Sequence, residues 1–365
     1  MNALCGESVF EKMQLLSGRE LSPVKQVYTM HGTPAPDGSN VILICHALTG
    51  SHHFAGEDIA GLPPAWFDAL VGKGRALDTG KFCLICINNL CSPYGSSSPK
   101  SIHPETNQEW GMRFPVVAPR DIATAQKILL EALGIPRIAA VIGCSFGGMV
   151  ALELALTYPD FAERCIVVAA PDRLYPQAIA FNEVQRSAIM SDSEWKEGDY
   201  YPSLGPVKGL ATARKLAMIT YKTEQSFADR WMREPAKGNL HEWDGKFQVE
   251  TYLEYHGNEL VRRFDANCYL YLTRAMDLHD ISVGREGLVA AFEPYKNKSL
   301  LAVSVSSDLL FASWQVAELV KHAKEAGVRV THEEIESDNG HDAFLIDFDQ
   351  LDEFLRGFLK QEGLV

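Results

Sequence analysis

No stretch of this 365-residue sequence approaches the ~18 uninterrupted apolar residues of a membrane-spanning helix, and its best apolar runs are only strand-length. A spanning segment is not expected. Basic residues are the minority charge: 34 Lys and Arg stand against 47 Asp and Glu, a formal net charge of -13. That balance disfavours a broad phosphate-tracking surface, so nucleic acid is not an expected partner, although a local basic pocket for an anionic ligand is still allowed. The opening segment MNALCGESVFEKMQLLSG contains Glu7, Glu11 and Lys12 and no basic leader, long apolar core or small-residue cleavage site. Secretion is therefore not indicated, and the chain is expected to be soluble and cytoplasmic.

Paired metal-ligand motifs are also missing. The eight cysteines are scattered, and Cys45, Cys83, Cys86 and Cys165 sit inside apolar runs, where a reduced thiol behaves as a small hydrophobe. Cys83 and Cys86 form one C-x-x-C, but no second pair follows, and in a strand residues three apart face opposite sides of the sheet. His46, His52 and His53 have no accompanying H-x-E, HExxH or carboxylate cluster. No metal site and no prosthetic group is expected.

The 46% hydrophobic content is enough to bury a substantial core, and the length suits one large domain or two smaller ones. Short β-branched runs recur: VILIC from Val41, FCLICI from Phe82, IAAVIG from Ile138, CIVVAA from Cys165, LLAVSV from Leu300 and VRVTHEEI from Val328. Among them lie helical patterns over Asp121 to Leu133, Gly148 to Tyr158, Trp314 to Ala326 and Phe348 to Leu359. This alternation predicts an α/β fold with a mostly parallel sheet covered by helices on both faces. From about Leu174 to Pro294 the rhythm breaks and helical periods replace buried strands. The expected organisation is a core in two parts, residues 1–173 and 295–365, with a helical lid inserted over residues 174–294 above the C-terminal sheet edge.

The segment GCSFG, following a strand and opening a helix, matches G-x-S-x-G. Gly143 and Gly147 remove the β-carbons that would clash in so tight a turn, and Ser145 is exposed at its tip with a helix N-terminus behind it. A serine hydroxyl is a weak nucleophile, so it needs a histidine base and an orienting carboxylate. Asp308 follows the LLAVSV strand in SSDLLF, and His341 lies in the loop ESDNGHDAFL before the last helix. The order Ser145, Asp308, His341 is that of the α/β-hydrolase fold. Asp338, Asp342 and Asp347 lie too near His341 to orient it, and His322 and His332 fall within a helix and a strand. For the oxyanion, the Phe146 N–H is one expected donor, and Leu48 N–H in HALTG is the second, with Thr49 as its fallback.

Taken with CHALTGSHH, YGSSSPKSIHPET, AIAFNEVQR, TARKL and SDNGHDAFL, the chain resembles the homoserine O-acetyltransferase family, α/β-hydrolase-fold acyltransferases of methionine biosynthesis, over nearly its whole length. The resemblance implies a two-step exchange with acetyl-CoA as co-substrate. Acetyl-CoA acylates Ser145, CoA leaves, and the homoserine hydroxyl takes the acyl group. It also implies that Arg214 binds the acceptor carboxylate and Asp342 its amine, and that the enzyme is a homodimer. On the residues alone, Arg214 could be a solvated helix charge with Lys215 as a competing cation, and Asp342 could equally cap the last helix or accept a backbone N–H. Three positions depart from the family pattern: Cys144 and Phe146 flank Ser145, where the elbow often reads G-G-S-M-G, and Cys91 stands where glycine is expected. Phe146 could reshape the acyl pocket. A succinyl donor, a serine acceptor, a serine hydrolase of the same fold and a non-catalytic binding module are the competing readings; the intact Ser145, Asp308 and His341 set argues against the last.

Overall fold

The computed structural model describes residues 3–365. In chain order, β1 (Leu4–Phe10) is followed by a minimal hairpin of β2 (Met13–Gln14) and β3 (Glu20–Leu21), then by β4 (Val24–His31), β5 (Val41–Cys45) and β6 (Cys83–Ile87). Next come α1 (Pro119–Ala132), β7 (Ala140–Cys144), α2 (Phe146–Thr157) and β8 (Arg164–Val168). A helical stretch holds α3 (Pro176–Met190), α4 (Val207–Thr220), α5 (Glu224–Trp231), a small hairpin of β9 (Pro235–Lys237) and β10 (Lys246–Phe247), α6 (Gln248–Arg263), α7 (Ala266–Asp277) and α8 (Leu288–Phe292). The chain closes with β11 (Ser299–Val305), α9 (Ser313–Glu325), β12 (Arg329–Ile335) and α10 (Phe348–Gln361).

Eight strands form one sheet in the order β1-β4-β6-β5-β7-β8-β11-β12. The pairings β1/β4 and β4/β6 are antiparallel, and the others are parallel. The inner strands are apolar on both sides because both faces are covered. Val41, Leu43 and Cys45 of β5 join the core under α1, α2 and α9, whereas Ile42 and Ile44 join the core under α10. Cys83 and Cys86 likewise fall into different cores, so the C-x-x-C spacing does not bring the two thiols together.

The six apolar runs form strands within one or two residues of their expected places. Two strands of the eight-stranded sheet escaped the sequence reading: β4, whose buried residues include Gln26 and Thr29, and β1, which is largely exposed at the sheet edge; the four short hairpin strands escaped it too. Polar residues on an otherwise alternating pattern conceal such strands, because periodicity is the signal being read.

α2 is buried along nearly its whole length, which explains why it is apolar all round. Its one charged residue, Glu153, is 3% exposed and receives Arg120 Nε at 2.9 Å, Arg120 Nη2 at 3.2 Å and Arg285 Nη2 at 2.9 Å. A buried carboxylate shared by two guanidiniums ties α1, α2 and the segment after α7 together. Removing one partner of such a set costs about 3–5 kcal/mol.

Candidate active site

Ser145 sits between β7 and α2 with φ 55° and ψ -125°, a backbone conformation that non-glycine residues rarely adopt. The flanking glycines make the turn possible. A β-carbon at position 143 would lie 2.0 Å from the Gly147 carbonyl oxygen, and one at 147 would lie 2.0 Å from the Cys45 carbonyl oxygen. The elbow expected from GCSFG is thus present, pressed against the end of β5.

Asp308 follows β11 and His341 follows β12, so three strand ends bring the three side chains together. His341 Nε2 lies 2.8 Å from Ser145 Oγ, and His341 Nδ1 lies 2.6 Å from Asp308 Oδ2. The other Asp308 oxygen accepts the N–H groups of Leu310 at 2.8 Å and Phe311 at 2.9 Å. All three side chains are buried, so Ser145, expected to stand exposed at the tip of its turn, is instead covered. Phe311 and Phe344 meet the imidazole edge-on. Burial alone would lower the His341 pKa, but the charge and hydrogen bond of Asp308, with the nearby Asp342 charge, outweigh it and raise the group above 6.5. A hydroxyl joined to an oriented, electron-rich imidazole can lose its proton as it attacks a carbonyl.

Ala47, Leu48, Thr49 and Gly50 form a turn directly after β5, closed by Gly50 N–H to the Ala47 carbonyl at 3.0 Å. Among the described residues, neither the Leu48 nor the Phe146 N–H has a hydrogen-bond partner. Free donors near the elbow are what a developing oxyanion requires. The Phe146 side chain is fully enclosed in the core that also holds Leu48 and Cys91. Cys144 is likewise buried, and burial pushes its thiol far above the ordinary range, which disfavours the thiolate form that attack would need. Cys91 has φ 71°, in the left-handed region, which explains why glycine is the expected residue there.

The residues expected to hold an acceptor, Arg214 and Asp342, lie on the helical stretch and in the His341 loop. Arg214 on α4 stacks over the Tyr221 ring at 5.6 Å, and that ring lies 5.7 Å from the His341 ring. Gly340, with φ 67°, allows the loop to press on the Tyr221 carbonyl, 2.7 Å from where its β-carbon would be. Asp342 is not free: Lys222, just past α4, places Nζ 3.1 Å from its Oδ2. The sequence reading missed Lys222, and also Arg263, whose Nη1 donates to the Thr49 carbonyl at 2.9 Å and to the Tyr94 hydroxyl. No local pattern marks either. A cavity of about 270 Å³ beside the turn is walled by Thr49, Gly50, Trp66, Arg214, Arg263 and Leu345. A second, of about 550 Å³, includes Lys100, Arg262 and again Arg263. Among the described residues, no cluster of His, Cys, Asp and Glu could hold a metal, and no helix is long and apolar enough to cross a membrane.

The sheet order, the elbow and the succession of loops define an α/β-hydrolase-fold enzyme, and the family described as alpha/beta hydrolase fold matches residues 40–348. Over 351 residues the chain is 46% identical to a homoserine O-acetyltransferase of Symbiobacterium thermophilum, covering 95% of this chain and 91% of that one. The crystal structure of homoserine O-acetyltransferase from Bacillus anthracis superposes with a TM-score of 0.92 at 30% identity, covering 98% of each chain. Esterase E22 superposes with a TM-score of 0.90 at 27% identity, covering 98% of this chain and 100% of that one. The chain belongs to the homoserine O-acetyltransferase family, and it is an acyltransferase.

Proposed function

We propose that this enzyme moves an acetyl group from acetyl-CoA to the hydroxyl of L-homoserine through an acyl-Ser145 intermediate, giving O-acetyl-L-homoserine for methionine biosynthesis. The observation that carries the reading is the continuous line from Ser145 Oγ through His341 to Asp308, at 2.8 and 2.6 Å. In the first half, Ser145 Oγ bonds to the thioester carbon while His341 Nε2 takes its proton. The C–S bond then breaks, and the proton passes to the departing CoA sulfur. In the second half, His341 takes the homoserine hydroxyl proton, the alkoxide attacks the acyl carbon, and Ser145 regains its proton as it leaves. Asp308 holds the imidazole tautomer, and the N–H groups of Leu48 and Phe146 receive the oxyanion in both halves.

In this reading Arg214 takes the homoserine carboxylate and Asp342 its ammonium, with Lys222 moving off Asp342 or sharing it. The stretch 174–294 acts as a lid, supported by Arg214, Tyr221, Lys222 and Arg263 all coming from it to the strand ends. No metal or prosthetic group takes part, the enzyme works in the cytoplasm, and it does so as a homodimer.

The test is to incubate the protein with acetyl-CoA or succinyl-CoA and with homoserine or serine, following free thiol and weighing the product. Acetyl-CoA with homoserine should give the fastest thiol release and an O-acetylhomoserine mass. Ser145→Ala should lower turnover by about 10⁴-fold or more with an unchanged melting temperature; wild-type turnover in that variant would refute the mechanism. The likeness to esterase E22 favours hydrolysis as the second reading. Sustained thiol release without any acceptor would select it.

A further inference from the structure

The turn that carries Leu48 rests on a side chain that the acyl-transfer mechanism above does not use. His46 is fully buried, and both of its ring nitrogens are engaged. The Asn89 backbone N–H lies 3.0 Å from Nε2, and the Ala47 carbonyl oxygen lies 2.8 Å from Nδ1. A backbone N–H can only donate and a carbonyl can only accept, so a single tautomer satisfies both, with the proton on Nδ1 and the lone pair on Nε2. Burial, opposed by the Ala47 contact and helped by neighbouring His52, holds the ring's pKa down at about 4, so the imidazole is neutral at working pH. Asn89 Nδ2 donates to the His46 carbonyl at 3.3 Å; it also passes His46 Nδ1 at 3.4 Å, a longer approach than the 2.8 Å to the Ala47 carbonyl, and with Nδ1 protonated that approach carries no bond. Asn89 Oδ1 accepts Gln126 Nε2 at 3.0 Å, which anchors the group to α1.

The Ala47 carbonyl and the Leu48 N–H belong to one planar peptide unit, and in a trans unit they point in opposite directions. Holding the oxygen therefore sets where the hydrogen points. Two donors, His46 Nδ1 and Gly50 N–H, converge on that oxygen. They also polarise the unit and make its N–H a stronger donor. At the far side of the turn, Arg263 holds the Thr49 carbonyl, so the turn has a second support independent of His46.

We propose that His46 is a positioning residue for acyl transfer: its Nδ1 donates to the Ala47 carbonyl and thereby aims the Leu48 N–H at the oxygen that gains charge when Ser145 attacks. The proposal rests on Leu48 being an oxyanion donor to a Ser145 acylation, and it does not depend on which acyl donor or acceptor the enzyme uses. The test therefore uses p-nitrophenyl acetate, whose cleavage needs Ser145 and the oxyanion donors but neither CoA nor an amino acid. A protein that cleaves this ester yet makes no O-acetylhomoserine would refute the transfer reading and leave the His46 comparison standing.

Two variants separate aiming from mere support. His46→Phe keeps a ring but supplies no donor to Ala47. His46→Asn places an amide nitrogen near the position of Nδ1, where it can still donate. Both leave the Asn89 N–H without its acceptor, so both should lose thermal stability to a similar degree. Losing an oxyanion donor outright costs about 10²–10³-fold in kcat, so misaiming one in His46→Phe should cost roughly 10–100-fold, with KM nearly unchanged. His46→Asn should recover a large part of that loss despite its matching melting temperature. Equal kcat in the two variants, or a His46→Phe kcat within about twofold of wild type, would overturn the proposal. Nitrogen-15 NMR of histidine-labelled wild-type protein gives a check that needs no variant to fold. It should find His46 as the Nδ1–H tautomer across neutral pH, and an Nε2–H tautomer would overturn the proposal as well.

Discussion

Among the described residues, two aspartate–histidine pairs with buried carboxylates stand near the strand ends, one with a buried imidazole and one with a half-buried imidazole, and the buried one faces a serine hydroxyl. Asp308 and His341 meet at 2.6 Å; Asp172, just after β8, and His322 on α9 meet at 2.7 Å, also through Nδ1. The difference lies in what surrounds each pair. The second oxygen of Asp308 accepts two backbone N–H groups, whereas Asp172 Oδ1 is buried with no partner. Burial accordingly raises the Asp172 carboxyl above the usual range against the opposing pull of His322. On the outer nitrogen, His341 meets Ser145 Oγ at 2.8 Å, while His322 has Glu318 at 3.8 Å. A carboxylate–imidazole contact is therefore a common piece of structure. It becomes part of a site when the carboxylate's other oxygen is held by the backbone and a hydroxyl waits on the far nitrogen.

Parallel substitutions sharpen this contrast most. Asp308→Asn should lower kcat by about 10³–10⁴-fold by favouring the wrong imidazole tautomer, whereas Asp172→Asn should leave kcat essentially unchanged. Comparable losses in the two variants would erase the distinction. A smaller effect is expected from Arg214→Ala, since only the His341 pair lies beneath this guanidinium and Tyr221. Losing a charge-assisted bond to the homoserine carboxylate should raise its KM by about 10–100-fold. Cleavage of p-nitrophenyl acetate should be unaffected, and an unaltered homoserine KM would remove Arg214 from the acceptor site.

The smallest expected effect concerns pH. The imidazole of His341 must be unprotonated to accept the Ser145 proton, so kcat/KM should fall as pH drops through its raised pKa, placing the acid limb above 6.5. Asp342 is one of the charges raising that pKa, so Asp342→Asn should move the limb to lower pH when p-nitrophenyl acetate is the substrate. A limb that stays in place or moves upward would exclude this electrostatic link.

The residues legible in the sequence were those with short-range signatures. Ser145 is announced by five residues and the strand before them, and Asp308 and His341 each follow a recognisable strand by only a few positions. Lys222 and Arg263 had no such signature, because each acts on a residue brought close only by folding: Asp342 in one case, Thr49 in the other. His46 could be dismissed as a metal ligand from its neighbours, but its true partners depend on Asn89 crossing from the next strand's loop. β4 stayed hidden for a related reason, since Gln26 and Thr29 are buried by tertiary context that composition does not express.

The contact between Gly147 and the Cys45 carbonyl also limits how this scaffold can diversify. With 2.0 Å available, not one carbon can be inserted where the attacking turn meets the strand that leads to Leu48. In the proposed mechanism, the attacking atom and the peptide that receives charge are thereby machined as a single part. A relative that accepts a bulkier acyl chain must therefore gain its room from side chains other than these two glycines, leaving the floor as it is.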